Sequence, residues 1–127
     1  MIRVSPFDPS VAGADTLLDL NGHRIEVGGG FWVSMSVNRV QPTAGRPHGI
    51  QYALTLHTPG GARIVGYDNA HAPKLRSGPS RRSVTPLAFD HLHRGRRIIA
   101  YEFKSPGELL DDFWRDVDAV LKEEGVP

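Results

Sequence analysis

Two short stretches bring an acid and histidine together. VGYDNAH runs from Val65 to His71, and FDHLHRG from Phe89 to Gly95. In the second, His91 and His93 stand two residues apart. On a β-strand successive side chains alternate faces, so both imidazoles share one side with Phe89, while Asp90 and Leu92 point to the other. Imidazole changes charge near neutral pH, so such a pair can take and give a proton within one reaction. Cleavage of RNA through its own 2′-OH needs one group to take the hydroxyl proton and another to protonate the leaving oxygen. It also needs a cation to meet the charge that builds on phosphorus. His71, His91 and His93 are the candidates for proton transfer, with Asp68 to orient an imidazole. Arg94, Arg96 and Arg97 are the candidates for holding phosphate, and Tyr67 for stacking on or orienting a base.

Other chemistry fits the same residues less well. H-x-H on a strand is a usable pair of metal ligands, and His71 or Asp68 could complete a His₃ or His₂-carboxylate set. No third ligand sits at a diagnostic spacing, so neither a metal nor a cofactor is assigned. His23, His48 and His57 look incidental. A plain alternative needs no active site at all. GYDNAH can end a strand, with Asp68 and Asn69 bonding nearby backbone amides, and Asp90 can pair with Arg94 or Arg97 across a turn.

These residues need a scaffold, and the chain is long enough to build one. Its 127 residues predict one domain. Lys plus Arg is 15 and Asp plus Glu is 14, a net charge of +1 that argues neither for nor against nucleic acid. The charge is uneven, however: from Lys74 to Arg97 the only acid is Asp90, whereas acids dominate from Glu102 onward. A basic middle suits an anion such as a phosphate backbone, and it also suits a loop kept soluble by arginine. There is no cysteine, which excludes disulfides and thiolate metal sites and fits a cytoplasmic location. No apolar run approaches the roughly 18 residues of a membrane span. The N-terminal stretch lacks the apolar region of a signal peptide.

The pattern predicts the elements in order. Residues 1–14 read as an irregular arm. LLDLNGHRIEV (Leu17–Val27) reads as a hairpin around Asn21-Gly22, a pair suited to a type I′ turn. FWVSMSVNRV (Phe31–Val40), IQYALTLH (Ile50–His57) and ARIVGYDN (Ala62–Asn69) alternate as strands. The last two form an antiparallel hairpin across TPGG. Residues 70–86 hold three prolines and little periodicity, a long basic loop of the kind that is usually functional or disordered. LAFDHLH (Leu87–His93) and IIAYEF (Ile98–Phe103) are strands around the turn RGRR, with Tyr101 and Phe103 packing under a helix. Ser105-Pro106-Gly107-Glu108 is a capping box with proline at the first helical position. Leu109, Leu110, Phe113, Trp114, Val117, Val120 and Leu121 then recur at spacings of three and four, predicting an amphipathic helix over residues 106–124. The fold class is therefore α+β: a curved antiparallel sheet with one C-terminal amphipathic helix packed on one face.

Gly66-Tyr67-Asp68-Asn69, His91 with His93, Tyr101 with Phe103, and the helix start Leu109-Leu110-Asp111-Asp112-Phe113 together resemble the TumE-type family of small bacterial proteins. The resemblance runs over roughly residues 50–126, and the chain departs from the family pattern in its longer insert from Ala72 to Thr85. It implies the toxin component of a toxin–antitoxin pair, and hence a cognate antitoxin, often a DNA-binding protein. A ribonuclease activity independent of metal follows only by analogy with other small α+β toxins, with RNA as the second partner. The competing reading is a non-enzymatic interaction module, homodimeric through exposed Trp32 or an edge strand. No membrane partner is expected in either case.

Overall fold

The computed structural model describes residues 14–44, 46–69 and 90–127. Within them the order is α1 (Ala14–Leu18), β1 (Arg24–Gly28), β2 (Phe31–Arg39), β3 (Ile50–His57), β4 (Arg63–Asp68), β5 (His91–Arg94), β6 (Arg97–Ala100) and α2 (Pro106–Glu123). The strands form one antiparallel, open sheet in the order β1-β2-β3-β4-β5-β6. The α+β architecture read from the sequence is the one observed.

The alternation sorts the sheet into two faces. Phe31, Val33, Met35 and Val37 of β2 and Ile50, Tyr52, Leu54 and Leu56 of β3 are all buried, as are Val65 and Tyr67 of β4. The β3–β4 register places Leu54 opposite Tyr67 and Leu56 opposite Val65, so the three strands present one continuous apolar surface. Helix α2 covers it with Leu109, Phe113, Val117, Val120 and Leu121. The helix starts where the sequence predicts. Ser105 in extended conformation accepts the Glu108 amide, proline occupies the first turn, and Gly125 beyond the end takes a φ of 77°. Among the described residues no helix is long and apolar enough to cross a membrane.

Three expectations change. The first hairpin is absent, because Leu17 does not enter a strand. It lies in α1, fully buried in the core. Asn21 has no positive φ, so the type I′ turn does not form, although Gly22 does have one, at 84°. Instead the Asn21 carboxamide accepts the Val37 amide at 2.8 Å, tying the turn to β2. The true first hairpin is β1–β2, closed by Gly28-Gly29-Gly30 with φ of 113°, 60° and 84°. Only glycine holds three such residues in a row without strain. The last strand is also shorter than predicted. It ends at Ala100, and Tyr101 turns toward α2, where its hydroxyl donates to Asp112 at 2.6 Å. The arm over residues 1–13, the loop over 70–86 and the start of the LAFDHLH strand (through Phe89) lie outside the described residues, while Ala14 opens α1.

Asn69 carries the β3–β4 pairing past the end of the ladder. It is fully buried. Its Oδ1 accepts the Tyr52 amide at 2.9 Å, and its Nδ2 donates to the Ile50 carbonyl at 2.8 Å. Asn69→Ala orphans both backbone groups, at about 1–3 kcal/mol for each. A clear loss in denaturant midpoint is therefore expected, and an unchanged midpoint would show that water replaces the carboxamide.

Candidate functional site

The two strands that carry the acid–histidine stretches lie side by side. Asp68 of β4 stands opposite His91 of β5, and Gly66 opposite His93. Because Tyr67 points into the core, its neighbours Gly66 and Asp68 point to the other face of the sheet, the one that α2 leaves uncovered. His91 and His93 point the same way. The Asp68 carboxylate therefore sits between the imidazoles, with Oδ1 at 3.2 Å from His91 Nε2 and Oδ2 at 3.6 Å from His93 Nε2. The two rings meet edge to face with centroids 4.9 Å apart. All three side chains are largely removed from solvent, at 7%, 15% and 16% exposure for His91, His93 and Asp68.

Arg63 completes this group. Its side chain lies across Gly66: a Cβ there would meet Arg63 Cδ at 3.1 Å and Nη1 at 3.6 Å. The missing side chain makes the room in which the guanidinium approaches His93. Burial first, and then the Arg63 and His91 charges, push the His93 imidazole below its ordinary value, while Asp68 pulls the other way. The net direction favours a neutral ring, the form that accepts a proton. Arg63→Gln removes one of the opposing charges, so the His93 titration followed by NMR should move up. A midpoint that stays in place would mean that solvent screens the guanidinium.

The same face also holds an aromatic stack. Trp32 lies on His57 with centroids 4.0 Å apart and planes 8° from parallel, and the Arg24 guanidinium covers the indole at 3.9 Å. Trp32 is therefore half-buried beneath its neighbours rather than standing out from the sheet.

The sequence-derived candidates separate accordingly. Asp68, His91 and His93 come together. His71 lies outside the described residues. Tyr67 is not a base-stacking surface: it is 2% exposed, edge-on to Phe113 and Tyr101, and its hydroxyl donates to Asp116 at 2.5 Å. Arg94 sits on the helix side of β5, 3.9 Å from Asp116 and 3.5 Å from Glu123, away from the imidazoles. Arg96 and Arg97 are exposed at the β5–β6 turn.

Two features escaped the sequence reading. One is Arg63, whose approach to His93 depends on an irregular register between β3 and β4 at Leu56/His57. The other is a buried polar cluster on Asp90. Its carboxylate accepts the Tyr52 hydroxyl at 2.6 Å and meets His48 Nε2 at 3.3 Å, and it pairs with neither Arg94 nor Arg97. His48 is thus not incidental. Its Nδ1 accepts the Ile50 amide at 3.2 Å, which leaves Nε2 as the protonated nitrogen facing Asp90, and its ring packs on Phe103 at 3.9 Å. The Asp90 charge and burial raise the Tyr52 phenol far above its ordinary value, with burial the larger cause. A tyrosine so held is a fixed donor, and the cluster braces β3 against the start of β5.

A carboxylate flanked by two imidazoles can serve proton transfer, and the same donor atoms can ligate a cation. The family model described as Toxin TumE matches residues 14–121 of the chain. No curated protein and no solved structure matches it.

Proposed function

Because the chain belongs to the TumE toxin family, we propose that it is the toxin component of a toxin–antitoxin pair and that its partner is an antitoxin; from its imidazole geometry we propose further that it cleaves RNA without a metal. The observation that supports this reading is the convergence of Asp68, His91 and His93 on the sheet face that α2 leaves uncovered. In this account His93, held neutral, accepts the proton of a ribose 2′-OH as its oxygen attacks phosphorus. The P–O5′ bond breaks, and protonated His91 gives its proton to the leaving 5′-oxygen. The products are a 2′,3′-cyclic phosphate and a 5′-hydroxyl. Asp68 orients the imidazoles and balances the charge that moves between them. Arg63 replaces Arg94 as the cation that meets the phosphate. A base that exchanged with exposed Arg24 would stack on Trp32, the role that burial denies Tyr67.

The test is incubation of the purified chain with a structured RNA in excess chelator. Fragments ending in cyclic phosphate are the expected result. Intact RNA, or fragments only when a divalent metal is supplied, would contradict the mechanism.

One observation favours the second reading, an interaction module. Strand β6 is an edge strand whose Ile98 and Ile99 are 48% and 39% exposed. Unpaired edges recruit further strands, and self-association that fails when both isoleucines become lysine would place the contact there.

A further inference from the structure

The Asp68–His91–His93 cluster has a second chemical capacity that its proton-transfer role leaves unused. The three donor atoms, one from each side chain, lie within 4.8 Å of one another. The carboxylate reaches both rings, through Oδ1 to His91 Nε2 at 3.2 Å and through Oδ2 to His93 Nε2 at 3.6 Å. Metal–ligand bonds of about 2.0–2.2 Å in a tetrahedral site set neighbouring donors roughly 3.3–3.6 Å apart. Each imidazole thus lies close to that spacing from a carboxylate oxygen, and the three donors together lie within reach of one centre.

The scaffold supports the same conclusion. All three donors stand on adjacent, hydrogen-bonded strands, with Asp68 directly opposite His91 and His93 opposite Gly66. Strands hold ligands more closely than loops do. The donors are mostly shielded from water yet not sealed. Arg63 is the described cation that opposes a metal here. It is solvent-exposed, so it can turn outward, and it is well placed to pair with an anion in the fourth position.

We propose that Asp68, His91 and His93 bind one divalent first-row transition metal of the Zn²⁺ class. Two imidazole nitrogens and one carboxylate favour Zn²⁺, Co²⁺ or Ni²⁺ over Mg²⁺ and Ca²⁺, which prefer oxygen donors. Binding has a consequence for the ribonuclease reading, and only that consequence rests on it. A neutral imidazole has one basic lone pair. Once Nε2 gives it to a metal, the ring cannot accept a proton. Metal occupancy and imidazole proton transfer therefore exclude each other, and the metal acts as a latch on the toxin.

The experiment needs no RNA. The chelator-stripped full chain is titrated with Zn²⁺ by calorimetry and with Co²⁺ by visible absorption, beside Asp68→Asn, His91→Ala/His93→Ala and the off-site variant His23→Ala. Expected are one metal per chain, at least tenfold weaker binding in Asp68→Asn, none in the double variant, no change in His23→Ala and no response to Mg²⁺. Absence of stoichiometric binding by the folded wild type overturns the proposal, as does full binding by the double variant. Should a variant fail to fold, the wild-type imidazole resonances decide. Zn²⁺ shifts confined to His91 and His93 support the site, and shifts centred on other histidines overturn it. Failure here leaves metal-free RNA cleavage standing, and failure of cleavage leaves the binding result intact.

Discussion

Replacing His93 with alanine should lower kcat/KM for RNA cleavage by roughly 10²–10⁴-fold, the usual range for losing a positioned proton-transfer group, while the chain stays folded. The imidazole projects from the face opposite the core, and its removal leaves the backbone pairing to Gly66 and Ile98 in place. His91→Ala should abolish cleavage in the same way, also without unfolding the protein. His93→Gln separates chemistry from packing. Glutamine fills much of the same space and keeps a polar tip, but it cannot carry a proton at neutral pH. If glutamine restores cleavage, the ring is only a spacer and the acid–base account fails. If alanine at position 91 leaves cleavage normal, His91 drops out of the mechanism.

The largest stability effect is expected at Phe113. It is fully buried at the middle of α2 and packs edge to face on Tyr67 at 5.9 Å and on Trp114 at 5.5 Å. Phe113→Ala removes the side chain that joins the helix to β4 and leaves a cavity the sheet cannot close, at about 3–5 kcal/mol. That is a large part of the stability of a domain this size, typically about 5–15 kcal/mol. Hydrogen bonds would still hold the helix, among them Tyr67 to Asp116 and Tyr101 to Asp112. Both phenols are raised above their ordinary value, first by burial and then by these carboxylates. The direction of both shifts favours the protonated, donating form. Urea unfolding should show the full loss. A cost below about 1 kcal/mol would mean that the helix is not anchored through this ring.

Much of the architecture could be read from alternation and spacing alone. The faces of β2, β3 and β4 follow from period two, and α2 follows from its cap and its stripe. The misread hairpin shows why local signals mislead. Asn21-Gly22 is a good turn pair wherever it falls, but the fate of Leu17 was set by a core formed from β2 and α2, far away in sequence. The site was legible in part. DHLH announced a shared imidazole face, and alternation alone could have placed Arg94 and Tyr67 on the opposite side, since each is one residue from a member of the cluster. What no local pattern carried was the pairing of Asp68 with His91. That depends on the register between strands more than 20 residues apart. Arg63 and the His48–Asp90 contact are long-range in the same sense. The first depends on the irregular β3–β4 register and the second on where the segment before β3 meets the residue before β5, and neither leaves a periodicity to read.

In the proposed mechanism this toxin-family chain acts through imidazole chemistry on β5. The most direct test is induced expression of the chain alone in a bacterial host, without its antitoxin, beside the His91→Ala/His93→Ala variant at matched protein levels. Growth and total RNA integrity are followed together. The account predicts growth arrest with fragmented RNA for the wild type, and normal growth with intact RNA for the variant. Normal growth with intact RNA for both, or arrest that persists in the variant, would contradict it.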